Sequence, residues 1–395
     1  VSFLRALRWS TGWLFIPLIA AATYAGSVAQ REFFGDYPLV ALSQAAVSLV
    51  VVAPVFAGWA AWDAARARPW LDATFGGAHR GKALGRLIVP GVVSALVVGL
   101  LVLVDVTGSP RGQIAAMLAL ALLLTQATAA AFGAAIGSLA SGLVAVPIAV
   151  GSTYAAAALA VADPSSFLGR TVVTGIASPC CDNTQQISAT DLTLCLTVCV
   201  VLLAGSLRAC MAQPEAPGRL LTLAASLAVA LLLAAIGQTF VVKEGQLTAR
   251  VTHTACQRLQ GLQICVWPEH RHQLSQAAAG ITQVRQAADS LGIHLPDAWS
   301  EDPRADVMTF TWRNQATADQ LRYALAISVS QGVGCAATDY ERPLAAALTQ
   351  KMDPNADVGD LTQDAEISDL LTTLRGMSAT EQAQWARQTI RACHA

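Results

Sequence analysis

Charge is scarce in this chain. Of its 395 residues, only 13% are Asp, Glu, Lys or Arg, against roughly 25% in an average soluble domain. Neither sign is in excess, with 25 Lys and Arg against 26 Asp and Glu. The missing basic surplus excludes the footprint of a nucleic-acid binder, so no nucleic-acid partner is expected. With 54% hydrophobic residues and a net charge of −1, disorder is excluded as well. Several chemical signatures are also lacking. There is no GxxxxGK[ST] phosphate loop, no HExxH, no pair of CxxC motifs and no GxSxG nucleophile turn. The chain has long uncharged runs instead.

The charges are unevenly placed. Residues 1–241 hold 12 Lys/Arg and 9 Asp/Glu, and residues 242–395 hold the other 13 and 17. The chain therefore reads as an apolar domain, 1–241, followed by a slightly acidic globular domain, 242–395. A spanning helix needs about 20 mostly apolar residues. Seven runs meet or approach this: 13–29, 38–60, 87–106, 114–136, 143–161, 192–207 and 220–241. The predicted fold is a polytopic α-helical membrane bundle of about seven spans, plus a small extracellular α+β domain. No span carries a charge near its middle. Asp105, Asp163 and Asp191 fall at span ends, which argues against an ion pump or proton relay. Arg5, Arg8 and Ser27-Val28-Ala29 give the first run the look of a signal peptide, but six further spans favour a retained helix. Gly133 and Gly137 form a GxxxG pair suited to close helix packing.

Basic residues in short loops set orientation. One side holds Arg5, Arg8, Arg66, Arg68, Arg80, Lys82, Arg86, Arg208 and Arg219, while the other holds only Arg31, Arg111 and Arg170. This predicts a multi-pass protein of the cell membrane with a cytoplasmic N-terminus and residues 242–395 outside. Trp59, Trp62 and Trp70 cluster at the inner end of the second span, where interfacial tryptophans are expected. Residues 60–86 read as the one substantial cytoplasmic loop. Its first part, 60–71, is helix-compatible and amphipathic, and either docks into a partner or only sets topology.

An even number of cysteines in an exported domain points to disulfides. Cys256 and Cys265 are close enough to bridge a strand pair, which leaves Cys335 for Cys393. Cys180-Cys181 pair with each other, with another partner, or not at all. Cys195, Cys199 and Cys210 read as small apolar residues.

A short amphipathic stretch (2–8) precedes span one, a basic segment follows span two, and a longer outer loop (162–189) separates spans five and six. This layout resembles the permease subunit of ABC-2-type (type V) ABC exporters of actinobacteria. The likeness covers residues 1–210. It implies that the segment after span two is a coupling helix meeting a separate ABC ATPase subunit, with Trp62, Arg66, Arg68 and Trp70 at the contact. It implies that ATP and Mg²⁺ belong to that partner, that this chain binds no cofactor, and that a second permease copy or paralogue sits beside it in the lipid bilayer. Short helices re-entering the outer leaflet are implied within 162–189. A simple member of the family ends after span six, whereas this chain adds a span and an outer domain. The implied function is export of a peptide, lipid or antibiotic-like substrate. The alternative is a membrane-anchored sensor or a metal-binding or enzymatic outer domain.

In the outer domain, 245–255 and 261–267 read as strands, because Val251, His253 and Ala255 alternate, as do Leu262, Ile264 and Val266. A helix over 269–290, a strand over 307–313 and helices over 316–331, 337–351 and 361–374 follow. The last helix opens with the capping box Ser378-Ala379-Thr380-Glu381. His253, Glu269, His270 and His272 sit beside Cys256 and Cys265. They read either as zinc or copper ligands, or as a disulfide beside a polar helix start, or as a catalytic Glu269–His270 pair. Asp353, Asn355 and Asp357 begin a calcium-loop pattern. It fails at Val358 and Asp364, so a solvated loop and helix face is the main reading.

Overall fold

The computed structural model describes residues 10–28, 37–74, 77–107, 112–163, 165–173, 184–211, 218–241, 247–251, 253–303, 305, 307–311, 317–336, 339–356 and 365–394. The stretch 2–8, Cys180-Cys181, Trp312 and Asp357–364 lie outside them. The chain forms two compact units, one including Tyr37–Ala249 and the other Arg250–Ala395.

The first unit is helical. A 3₁₀ turn, Gly12–Phe15, leads into α1 (Ile16–Val28). Then come α2 (Pro38–Ala46), α3 (Leu49–Thr74), α4 (Gly77–Thr107), α5 (Gln113–Leu139) and α6 (Gly142–Ala162). The short α7 (Phe167–Thr171), strand β1 (Gln185–Ile187), α8 (Ala189–Met211), α9 (Gly218–Val241) and β2 (Leu247–Ala249) complete it. Among the described residues, each apolar run is mainly helical. Among the described residues, five helices are long and apolar enough to cross a membrane, and Gly12–Ala25 and Val92–Leu101 are shorter apolar segments. Large side chains such as Leu101, Leu143, Leu220 and Leu221 face outward on these helices. Such exposed apolar surface suits lipid or a partner rather than water.

Two details differ from the sequence reading. The run 38–60 is not one helix but breaks at Val47–Ser48, where the Ser48 hydroxyl donates to the Ala45 carbonyl at 2.6 Å. Its second piece does not end at Ala60 but continues to Thr74, and α4 begins at Gly77. Residues 60–86 are therefore mainly helix rather than loop.

Small residues let α3 and α5 cross closely. A Cβ added at Gly133 would lie 2.0 Å from the Ala57 carbonyl oxygen, and one at Gly137 would lie 2.2 Å from that of Ala61. The pair packs backbone to backbone, as GxxxG pairs do. Phe56, Ala60, Ala64, Ala130 and Ala134 fill the buried layer around the crossing. Cys195, Cys199 and Cys210 are buried and form no disulfide. β2 pairs antiparallel with β1. The predicted strand 245–255 is thus divided: Leu247–Ala249 belongs to the first unit, and Val251 is exposed and outside any strand.

The second unit is α+β. Strands β3 (Ala255–Leu259) and β4 (Leu262–Val266) form a hairpin. Its two-residue turn, Gln260-Gly261, has positive φ at both positions (51° and 82°), as a type I′ turn requires. A 3₁₀ segment, Pro268–Gln273, and α10 (Leu274–Ser290) then cross over to β5 (Ala298–Ser300), which lies parallel to β4. Strand β6 (Met308–Thr309) adds in parallel, giving the order β3-β4-β5-β6. The sequence reading missed β5, and among the described residues the strand expected over 307–313 pairs at Met308–Thr309 alone. Leu262, Ile264 and Val266 point into the core with Ile281, Val284 and Trp299.

Among the described residues, four α-helices follow: α11 (Ala318–Ser330), α12 (Glu341–Met352), α13 (Ala365–Gly376) and α14 (Ala379–Cys393). Capping boxes open two of them, Thr317 with Gln320 and Ser378 with Glu381. The Ser378 hydroxyl and backbone N–H hold the Glu381 carboxyl below the usual glutamate range. Two disulfides tie the unit, Cys256–Cys265 across β3 and β4 and Cys335–Cys393 from the turn after α11 to the end of α14.

Candidate functional site

The second half of α3 carries a buried carboxylate. Asp63 is fully buried, so its charge demands donors. The Ser10 hydroxyl donates to Oδ2 at 2.8 Å, and the Trp59 indole N–H donates to the same oxygen at 2.8 Å. The Thr11 hydroxyl donates to Oδ1 at 2.9 Å, and the Thr11 backbone N–H donates to Oδ2 at 3.0 Å. Arg66 lies 3.8 Å away, one turn on. Asp63 thereby clamps the chain entering α1 against α3. Gly12 completes the clamp, because a Cβ there would collide with the Trp59 ring.

Of the four residues expected at a coupling contact, Trp62 lies within this clamp and Arg66, Arg68 and Trp70 follow it on α3. Trp62 and Trp70 are 45% and 57% exposed. The Trp62 ring edge lies against Gly142, where α6 begins. The Arg66 side chain is 47% exposed. Arg68 is engaged instead: it donates to the Leu139 carbonyl at 3.0 Å and lies 3.5 Å from Asp72. Arg219 donates to the neighbouring Ser138 carbonyl at 3.3 Å. Two guanidiniums thus cover the last carbonyls of α5, where the helix dipole favours cations. An apolar cavity of about 480 Å³ adjoins the clamp, lined by Phe15, Pro54, Gly58, Trp62, Val146 and Val150, among others. At the start of α8, Asp191 is fully buried and lies 3.8 Å from Arg170 of α7.

The second unit holds a different cluster. Arg250 is buried and donates twice to Glu269, at 2.8 Å to each oxygen. Its guanidinium carbon lies 4.3 Å from the Trp267 ring centroid, a cation–π geometry. Glu301 is buried too. It accepts from the Trp267 backbone N–H at 2.7 Å through Oε2, and its Oε1 lies 2.7 Å from Nδ1 of His270. The proposed metal ligands are therefore not brought together. Glu269 is committed to Arg250, His270 is turned inward to Glu301, and His253 and His272 are exposed. Among the described residues, no group of three or more His, Cys, Asp or Glu side chains could hold a metal ion. Asp353 lies 3.1 Å from Arg322, and its Oδ1 accepts from the Asn355 backbone N–H at 3.0 Å. This is an Asx turn within the loop. Sequence reasoning missed Arg250, Trp267 and Glu301. The readable signal for Arg250 is an arginine beside a strand-like run, which needs a carboxylate once buried.

Comparison with known proteins adds one match. Residues 264–395 fit a family described as a domain of unknown function (DUF7224). No curated protein matches the chain, and no solved structure does.

Proposed function

We propose that the chain is the membrane subunit of an ABC transport complex in the cell membrane, exporting a peptide, lipid or antibiotic-like substrate. In this reading the two shorter apolar segments also cross, giving seven spans, a cytoplasmic N-terminus and an outer C-terminal domain. A separate subunit hydrolyses ATP with Mg²⁺, and a second permease copy or paralogue completes the pore. The observation that supports it best is the construction of α3. It is clamped at Asp63 to the chain preceding α1, stays packed on the core through Ala64 and Leu71, and presents Trp62, Arg66 and Trp70 on its exposed side. A helix that receives force from a motor subunit needs an anchor and an exposed contact face, and both features of α3 support this reading.

The test is co-purification with an ABC ATPase encoded in the neighbouring reading frame, followed by ATPase assays. Joint replacement of Trp62, Arg66 and Trp70 by Ala is expected to abolish substrate-stimulated ATPase activity while membrane insertion stays normal. An unchanged stimulated rate in that variant, or no ATPase partner at all, would sink the reading.

A further inference from the structure

The two disulfides of the second unit have opposite surroundings. Cys335 is buried in the core, and Cys393 packs half-buried against the same cluster. Cys256 is exposed on β3, and Cys265 is half-buried on β4. β3 is the end strand of its sheet, and Cys256, Gln257 and Arg258 are all exposed on it. Leu259 is the one β3 side chain packed against the core cluster. The Cys256–Cys265 bond therefore joins an outer strand to a buried one and holds no core layer together.

Register sets the direction of the bond. Cys256 lies directly opposite Cys265. The two-residue turn makes Leu259 and Leu262 a hydrogen-bonded pair. By alternation, Arg258–Gln263 is a non-hydrogen-bonded pair, Gln257–Ile264 a bonded one, and Cys256–Cys265 again non-bonded, the kind whose side chains stand closer. The disulfide thus runs across the strands, from β4 towards the edge. Thiol exchange depends on which sulfur is attacked and on access to it. Beyond Cys265 the line of the bond runs towards β5, where the buried Ser300 stands opposite Cys265. Beyond Cys256 it leaves the sheet. Arg258 lies on the same face of β3, about 7 Å further along the strand, and is exposed. Its cation favours the approach of a thiolate.

We infer that Cys256–Cys265 is a reversible thiol-exchange site for a separate dithiol, such as a protein with a Cys-x-x-Cys pair, and that Cys256 is the sulfur attacked. One thiolate of the dithiol attacks Cys256 Sγ and forms a mixed disulfide. Cys265 Sγ leaves with the bonding electron pair and takes a proton from water. The second thiolate of the dithiol then attacks the dithiol's own sulfur in the mixed disulfide, and Cys256 leaves in the same way. The protein bond gains two electrons and two protons, and the dithiol becomes a disulfide. Cys335–Cys393 stays intact, so the core remains tied while β3 is held by its ladder and turn alone. The inference stands on the second unit and holds whether or not the first unit works as a transporter.

The experiment treats the full-length protein in detergent, without denaturant, with dithiothreitol or with reduced glutathione. Samples are quenched with acid, free thiols are alkylated, and the four cysteines are read by peptide mass spectrometry. With dithiothreitol, Cys256 and Cys265 are expected to become alkylated about tenfold or more faster than Cys335 and Cys393. The tryptic cleavage pattern of α10 to α14 is expected to stay unchanged meanwhile. Glutathione, a monothiol, leaves a mixed disulfide, expected on Cys256 over Cys265 by about tenfold. Equal reduction rates for the two bonds would overturn the inference. So would a glutathione adduct chiefly on Cys265, or new tryptic cuts in α10 to α14 appearing in step with reduction of Cys256–Cys265.

Discussion

The crossing of α3 and α5 makes a sharp prediction about two glycines of different surroundings. Gly133 lies where a Cβ would be 2.0 Å from the Ala57 carbonyl oxygen. Carbon rarely approaches a carbonyl oxygen closer than about 3.3 Å, so Gly133→Ala must drive the helices apart by about 1.3 Å. Neither helix can retreat freely. On its other side α3 meets α6, where a Cβ at Gly58 would already be 2.6 Å from Val150. Overpacking a close-packed interior costs about 1–3 kcal/mol, and a backbone obstacle puts this case at the upper end. Gly151, in α6, is the control, because nothing lies within 4 Å of a Cβ built there. Replacing an open helical glycine by alanine gains roughly 0.5–1 kcal/mol. The two substitutions should therefore separate by about 2–4 kcal/mol in thermal unfolding of the detergent-solubilised protein. Gly133→Ala should melt well below the parent chain and Gly151→Ala at or slightly above it. Overlapping melting curves would refute the close crossing.

The other expectations concern the disulfides, the buried pair and the clamp. Closing a loop removes entropy from the unfolded chain. The Cys335–Cys393 link, with a sequence separation of 58, should be worth about 4 kcal/mol, and Cys256–Cys265, with a separation of 9, about 2.6 kcal/mol. Paired Cys→Ser variants should rank in that order in denaturant midpoint, and a reversed order would contradict the loop argument. Glu269→Ala strands the buried Arg250 and should cost about 3–5 kcal/mol, while His253→Ala and His272→Ala, both at exposed rings, should change the unfolding midpoint little. Asp63→Asn removes the charge on which Ser10, Thr11 and Trp59 converge. Limited proteolysis should then cut near residues 10–15 sooner than in the parent, and equal protection would mean that the clamp is not what holds that segment.

Hydropathy made the helices of the first unit readable, because seven apolar runs separated by charged stretches leave little choice of secondary structure. What it could not show is where α3 ends. Asp63 looks like the end of a span when counted as a charge. It is compatible with a buried helix only because Ser10 and Thr11, more than fifty residues earlier, supply its donors. In the second unit, local signals were strong where they were chemical. Ser378-Ala379-Thr380-Glu381 caps a helix as its pattern predicts, and Leu262, Ile264 and Val266 face the core. The site cluster stayed open between its three readings for the opposite reason. His253 to His272 is dense in potential ligands, but the partners that decide their fate, Arg250 and Glu301, lie outside the window. Strand β5 was missed because three residues cannot establish a period.

The bond between Cys335 and Cys393 closes a covalent ring around α12, α13 and most of α14. A single protease cut within that ring, for example between Met352 and Ala365, would open the backbone without releasing a fragment. The nicked chain would run at full size on a non-reducing gel and fall into two pieces only after thiol treatment. A domain built this way can take one cleavage in the ring and still keep every helix covalently joined.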